Sequence, residues 1–275
     1  MGIRANLHTH TTYCDGKNTP LEMVEAAVEK GFHTLGFSGH AYTPFDLSCC
    51  MSEEGTIAYR AEIARLRERY VGRIEIFLGI ENEGALPQPV DGYEFVIGSL
   101  HCLFCDGRYW TLDDTPQKLR RCLDECFGGD FLALAKAYYG ALSAYALREK
   151  PDIVGHFDLV AKFNESGAFF NPDDPAYRVA ALEAVEAIAE AGCIVEINTG
   201  AMARGHTAQP YPAPFLIGRL IEMRAPLIVS SDAHDAKSVD AFFPEAEALL
   251  SSLGCREVME LRRNEGFVPV SLEGS

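Results

Sequence analysis

Positive charge is scarce in this 275-residue chain: 24 Lys and Arg stand against 40 Asp and Glu, a formal net charge of -16. Attraction to nucleic acid or to an anionic bilayer comes mainly from Lys and Arg neutralising negative charge, so long nucleic acids and membrane surfaces are not expected as partners. No uncharged apolar run is long enough to cross a bilayer. A Gly/Ser linker, a low-complexity tract and an internal repeat are also missing, and these are the features that mark a domain boundary or a solenoid. Residues 1–275 are therefore expected to form a single domain. The stretch from Met1 to Asn6 shows no charged segment followed by an apolar one, so no cleaved secretion signal is read. Nine cysteines, an odd number, fit a reduced cytoplasm better than a disulfide framework. Cytoplasmic location is the expectation.

What the chain does have is alternation. Short apolar runs at 3–7, 34–37, 74–80, 95–97, 152–154, 193–197 and 226–229 read as strands. Between them, amphipathic or alanine-rich stretches at 20–30, 54–70, 115–127, 131–148, 175–191 and 212–223 read as helices. The tail reads as helices over 239–253 and 256–263, then a short edge segment over 266–270. Seven strands alternating with helices predict a parallel sheet, and at this length a closed or nearly closed barrel.

The residues that follow each strand carry the chemistry. The first run ends in His8-Thr9-His10, the second in Ser38-Gly39-His40, the third in Glu81, the fourth in Ser99-Leu100-His101, the fifth in Gly155-His156 and the seventh in Ser231-Asp232-Ala233-His234. In a parallel barrel all these ends open on one face, where active sites are built from several strands at once. On a strand, i and i+2 project to the same side, so His8 with His10 and Asp232 with His234 are each expected to converge. Six of the eight histidines fall at these ends, a pattern that core packing does not explain. Imidazole and carboxylate together suit zinc, iron or manganese.

Other pieces read as structural. His33 sits in a helix-to-strand turn and is given no role. Cys102 and Cys105 form a C-x-x-C without a second pair at matching spacing. Cys122 and Cys126, at helical i, i+4 spacing, read as buried small apolar residues.

At these motifs the chain resembles the polymerase and histidinol phosphatase (PHP) superfamily, and within it the histidinol-phosphate phosphatases. The resemblance rests on His8-Thr9-His10 with Asp15-Gly16, Gly36-Phe37-Ser38-Gly39-His40, Leu78-Gly79-Ile80-Glu81, Gly98-Ser99-Leu100-His101, Gly155-His156-Phe157-Asp158, Glu196-Ile197-Asn198-Thr199 and Ser231-Asp232-Ala233-His234. It implies a distorted (β/α)7 barrel with three divalent transition-metal ions, zinc, iron or manganese. By position, His8, His10, Glu81 and Asp232 would hold one ion. Glu81 would bridge to a second bound by His101 and His156, and Asp15, His40 and His234 would hold the third. Glu83, on the same strand face as Glu81, is the competing carboxylate for the bridge. The motif departs from the family in one place, where Gly39 replaces the acidic residue often found before the second-motif histidine.

The resemblance further implies hydrolysis of a small phosphorylated substrate, L-histidinol phosphate, to the alcohol and phosphate. A metal-bound hydroxide held by Glu81, Asp232 and His234 would attack in line. Three divalent ions, about +6, against three carboxylates and a hydroxide leave the pocket near +2, complementary to a phosphate dianion. Lys162 and Arg204 resemble basic positions that contact the substrate phosphate, and Asn198 and His206 are further candidates for substrate contact. The alternative from the same superfamily is a nucleotide or oligonucleotide phosphoesterase, which the acidic composition disfavours.

Overall fold

The computed structural model describes residues 2–272, and among these the chain alternates strand and helix as the periodicity predicts. Seven strands, β1 (Ala5–Asn6), β2 (Thr34–Phe37), β3 (Glu75–Glu83), β4 (Phe95–Ser99), β7 (Ile153–Val154), β8 (Ile194–Asn198) and β9 (Leu227–Ser230), form one parallel sheet in the order β1-β2-β3-β4-β7-β8-β9. The seam between β9 and β1 is closed by a parallel bridge from Thr9 to Ala233. There His10 N donates to Ala233 O at 2.9 Å and Ala233 N donates to His8 O at 3.1 Å. The result is the expected distorted (β/α)7 barrel.

Around the strands lie α1 (Pro20–Glu29), α2 (Glu53–Arg69), α3 (Pro116–Phe127), α4 (Phe131–Glu149), α5 (Pro175–Glu190), α7 (Pro214–Glu222) and α8 (Phe243–Ser252), with a one-turn α6 (Gly200–Ala203) in the loop after β8. Their starts are written locally. Thr19 and Glu22 form a reciprocal capping box at α1, and Ser52, Thr115, Asp130 and Asp174 cap α2, α3, α4 and α5. Pro at the first turn of α1, α3, α5 and α7 costs no intrahelical hydrogen bond.

Period-two alternation sorts the barrel interior into layers. Leu7, Phe77, Phe95, Ile97, Ile153, Ile194 and Ile228 form an apolar floor, with Leu261 closing it from below. Two residues further along their strands come Gly79, Glu196 and Ser230, and then Glu81, Asn198 and Asp232. Polar groups therefore begin one layer above a dry floor.

Two segments differ from expectation. Residues 256–263 form not a helix but strand β10 (Glu257–Arg262), paired antiparallel with β11 (Gly266–Ser271). The run Glu-Val-Met-Glu-Leu-Arg consists largely of helix formers, but tertiary burial overrides that weak preference: Val258 joins the main core while Met259 and Leu261 pack on the barrel floor. His33 faces this strand, its Nε2 3.6 Å from Glu260. The second difference is the hairpin of β5 (Cys102–Cys105) and β6 (Arg108–Thr111), inserted between β4 and α3. Its turn residues Asp106 and Gly107 have φ of 50° and 79°, as a two-residue primed turn requires.

The floor leaves no room above Phe95. A Cβ on Gly79 would lie 2.2 Å from its ring, a contact that only displacement of the ring or the strand relieves. Gly79→Ala is expected to destabilise the chain by about 3 kcal/mol or more, at the upper end for overpacked cores. Urea unfolding of the purified variant checks this; an unchanged midpoint would mean the ring is free to move aside.

Candidate metal centre

The strand ends converge as the motif positions predict, on Glu81. Its Oε2 lies 3.3 Å from His8 Nε2, 3.5 Å from His10 Nε2 and 2.9 Å from His40 Nδ1, and its Oε1 lies 3.0 Å from His156 Nε2 and 3.5 Å from His101 Nε2. One buried carboxylate thus faces five imidazoles. Glu83 stands elsewhere: Oε2 accepts from the His101 backbone N–H at 3.0 Å and meets His101 Nδ1 at 3.0 Å. It fixes the ring of His101 from behind, which leaves Glu81 as the shared carboxylate.

At the barrel mouth the donor atoms close into three overlapping sets: His8, His10 and Asp232; His10, Asp15, His40 and His234; and His40, Glu81 and His101. His8 Nε2 and His10 Nε2 lie 3.6 and 3.2 Å from Asp232 Oδ1. His101 and His156, whose Nε2 atoms are 3.2 Å apart, both face Glu81 Oε1. Asp15 Oδ2 is 3.7 Å from His40 Nε2 and 3.2 Å from His234 Nε2.

These groups also fit metal ions by their unmet needs. His8 Nε2, His10 Nε2 and Glu81 Oε2 are buried without a hydrogen-bond partner, and a buried polar atom left so is costly. A cation among them satisfies all three at once. The far side of His8 is held as metal-bound imidazoles usually are, by Glu196. Its Oε1 is 2.6 Å from His8 Nδ1, and its Oε2 accepts from the His156 backbone N–H at 2.8 Å and from Asn198 Nδ2 at 2.9 Å.

Local folding explains the placements. Asp15 sits in a turn where Cys14 N and Gly16 N both donate to Thr11 O, at 2.9 and 3.0 Å. A Cβ on Gly16 would lie 2.4 Å from Thr11 N, so glycine is what lets the turn fold back and bring Asp15 Oδ1 to 3.6 Å from His10 Nδ1. Asp232 and His234 converge for a reason other than the pleat. Strand β9 stops at Ser230, and Asp232 takes φ of 48°, a left-handed conformation that Asp tolerates and that recurs at functional sites. Gly39 is followed by a His40 that finds its carboxylate on the neighbouring strand, in its parallel bridge partner Glu81, instead of next in sequence.

The electrostatics are those of ion-paired imidazoles. Burial alone would lower His8 and His40, but Glu196, Glu81 and Asp232 around His8, and Glu81 and Asp15 around His40, raise both well above the ordinary value. His101, opposed by burial but facing Glu81 and Glu83, is raised to about 9. Burial and the neighbouring His234 and His40 push His10 down to about 3. For Glu81 and Asp232 burial works toward protonation, yet the surrounding imidazoles, and for Asp232 first Arg204, hold both well below the usual carboxylate range.

The centre opens into a cavity of about 410 Å³ whose wall includes Lys162, Arg204 and His206. Arg204 NH2 donates to Asp232 Oδ2 at 2.9 Å and NH1 to Asp232 O at 3.1 Å, while Lys162 Nζ donates to Asp113 O at 2.6 Å. Asn198 is different. It is fully buried, and its amide is spent on Glu196 and on the Gly200 backbone N–H at 2.8 Å, so it lies behind the centre and not in the cavity wall. Sequence reasoning gave Glu196 no role. Its signal was position: two residues above Ile194 of the floor, an acidic side chain has nowhere to point but into the barrel.

Fold and site together define a (β/α)7 barrel with a histidine and carboxylate metal-binding mouth. The chain belongs to the PHP domain family, whose model matches residues 6–200. It is 30% identical over 262 residues to a probable histidinol-phosphatase of Deinococcus radiodurans, covering 91% of this chain and 94% of that one. It is 26% identical over 257 residues to a histidinol-phosphatase of Bacillus subtilis, covering 84% and 94%. Among solved structures, a putative histidinol phosphatase from Listeria monocytogenes superposes with a TM-score of 0.73 at 18% identity, over 88% of this chain and 99% of the other. The histidinol phosphate phosphatase of Lactococcus lactis, solved with zinc, L-histidinol and phosphate, superposes with a TM-score of 0.65 at 20% identity, over 93% and 95%. At those identities the two structures speak to the fold.

Two measurements test the centre. Glu81→Gln is expected to lower bound metal together with activity, because ions held among these imidazoles would lose the anion they share. Glu83→Gln and Glu196→Gln, which act by orienting imidazoles, should each weaken metal affinity by about 10–100-fold. Full metal content in Glu81→Gln would remove it from the bridge. The second measurement is pH dependence. A proton on His101 competes with a metal below its raised pKa of about 9, so metal affinity of chelator-stripped protein should rise with pH from about 6.5, the ordinary imidazole value, toward 9. Titration calorimetry in buffers of different ionisation enthalpy reads the released protons; pH-independent uptake without proton release would contradict this assignment.

Proposed function

We propose that this chain hydrolyses small phosphate monoesters, with L-histidinol phosphate as its substrate, using three divalent transition-metal ions at the barrel mouth. The observation that carries this reading is the set of partnerless buried donors around Glu81, opening into a small cavity with two cationic side chains in its wall. Membership of the PHP family and the names of the two curated relatives support the substrate. So does the Lactococcus lactis structure, which holds zinc with the two products of that hydrolysis.

In this reading His8, His10, Glu81 and Asp232 hold one ion, Glu81, His101 and His156 the second, and Asp15, His40 and His234 the third. Bound ions supply Lewis acidity toward phosphoryl oxygens and acidify a water molecule near neutral pH. The remaining work falls to the chain. Arg204, anchored on Asp232, presents its guanidinium at the edge of the centre and is suited to a phosphate oxygen. Lys162 adds charge from the same cavity wall, its ammonium held by Asp113. His206, lowered by burial and by Lys162 and Arg204, stays neutral and can accept or donate a hydrogen bond. Asp46, Asp113 and Asp114 line the same cavity, giving it an acidic end for the ammonium group of an amino-alcohol phosphate. A cavity of about 410 Å³ suits a small molecule better than a polynucleotide.

The family model stops at residue 200, yet β9 and the candidates Asp232 and His234 come later and close the seam against β1. This supports a single domain over the described residues, with the site incomplete without the residues after 200. No helix of the described residues is long and apolar enough to cross a membrane.

Stripping with a strong chelator should abolish hydrolysis, and a divalent transition metal should restore it. Across a panel of phosphate esters, histidinol phosphate should be turned over far faster than nucleoside monophosphates or single-stranded oligonucleotides; the reverse order would favour a nucleotide phosphoesterase. Arg204→Ala is expected to lower kcat/KM by roughly 10–100-fold, the scale of a lost charge-assisted contact. Because Arg204 also braces Asp232, metal affinity should fall with it. Unchanged kinetics and metal content would place Arg204 outside both roles.

A further inference from the structure

The hairpin that the sequence pattern did not predict carries a second set of metal-binding side chains, unused by the barrel mouth. Cys105 ends β5, Asp106 occupies the turn and Cys126 lies near the end of α3, with one donor atom of each within 4.8 Å of the others. Cys126 is in thiol contact with Cys105 on one side and with Cys122, one helical turn earlier, on the other. The C-x-x-C of Cys102 and Cys105 does not act as a pair, because i and i+3 on a strand face opposite ways. Cys102 turns to the cavity wall, its Sγ 3.7 Å from Thr111 Oγ1. The group is tertiary in origin: Cys105 and Cys126, 21 residues apart in sequence, are brought together with Asp106 by the hairpin and α3.

We propose that Cys105, Cys126 and Asp106, with Cys122 as fourth donor, bind a thiophilic divalent cation of the zinc class. Zinc–sulfur bonds of about 2.3 Å place neighbouring donors about 3.5–4 Å apart in a tetrahedron, close to the separations of 4.8 Å or less among the donors of Cys105, Asp106 and Cys126. Each thiol gives its proton to solvent as the ion binds. The ion must displace protons that these thiols hold firmly. Burial, followed by the neighbouring thiols and Asp106, raises the Cys126 thiol to about 12, and burial raises Cys122 to about 11. The nearby guanidinium groups of Arg108 and Arg121 are both engaged by Glu125. Raised thiols are also poor nucleophiles, which disfavours spontaneous oxidation to a disulfide. The ion would tie the hairpin to α3, and β6 ends at Thr111, two residues before the cavity-lining Asp113.

Cobalt(II) is the probe, since its bonds to thiolate give an intense near-ultraviolet charge-transfer band. The donors assigned at the barrel mouth are imidazole and carboxylate, but Cys14, Cys49 and Cys102 lie beside them, so the band is assigned to the hairpin site by comparison with the double variant. Cobalt-loaded wild-type protein should show the band and carry one more cobalt per chain than the Cys105→Ser/Cys126→Ser variant, which should keep its phosphatase turnover. Asp106→Asn, which retains the turn's preferred chemistry, should lose cobalt from this site more readily than wild type. In the unmutated chain, added Zn²⁺ should protect Cys105 and Cys126 from alkylation, read peptide by peptide. Absence of the band in wild type, its persistence in the double variant, or alkylation indifferent to zinc would overturn the proposal. So would a Cys105–Cys126 disulfide in protein prepared under reductant.

Discussion

A carboxylate at 2% exposure surrounded by imidazole nitrogens is the constraint on which the rest of this structure turns. Burial alone would protonate Glu81, and the imidazoles alone would be neutral in a dry interior. Each is held in its charged or partnerless state only because the others are within reach. Those others come from four separate strand ends, after β1, β2, β4 and β7, so the environment of Glu81 exists only if the strands are brought round into the barrel. The seam makes this concrete. The bridge joining Thr9 to Ala233 is flanked by His8 and His10 on one side and by Asp232 and His234 on the other. The last joint of the fold and the first contact of the centre are the same few residues.

Layering inside the barrel sets where polarity is allowed. The floor excludes water with Phe, Ile and Leu, and Gly79 is glycine because the Phe95 ring occupies the space above it. One layer up, Glu196 could not be tolerated as a lone charge, and it is not alone. His8, the His156 backbone and Asn198 together use both of its oxygens. The anion that orients His8 is in turn oriented by a strand neighbour, so the geometry of the mouth is handed upward from a packed floor. A chain with a net charge of -16 can still present a local demand for anions, because its carboxylates here are spent on imidazoles and, in the proposed function, on cations.

Most of this was legible in sequence because it was written at strand ends. Periodicity placed the seven strands, and what followed each of them placed His8, His10, His40, Glu81, His101, His156, Asp232 and His234 at one mouth. Asp15 was not legible that way, since its position depends on a turn folding onto the Thr11 backbone, and only the family resemblance singled it out. Glu196 was missed because its role is relational, a carboxylate behind a ligand. The β5–β6 hairpin did carry a local signal, Asp106-Gly107 between alternating runs, and His101 just before it drew attention elsewhere. Strand β10 could not be read from its residues, whose preference is helical and whose pairing with β11 is decided by burial on both faces. Cysteine spacing was silent for a related reason: Cys105 meets Cys126 across the fold, not Cys102 along the strand.

The loop after β8 shows how a buried residue can matter to a substrate it never touches. Asn198 N donates to Tyr211 O at 2.7 Å and Tyr211 N returns to Asn198 O at 2.9 Å, so the two ends of the 199–210 segment are clasped by a single residue pair. Asn198 Oδ1 takes the Gly200 N–H, and Asp158 Oδ2 takes the Ala213 N–H at 2.8 Å just past the clasp. The segment between carries Arg204 and His206 into the cavity wall. Its reach is therefore fixed by strand β8 and by Asp158, two residues after His156, and not by the loop itself. Positions that face the cavity can then vary with the ester to be bound, while the clasp keeps Arg204 in register with Asp232. In the proposed function, substrate contact and support of Asp232 would then share one side chain, and a change in either would be felt by the other.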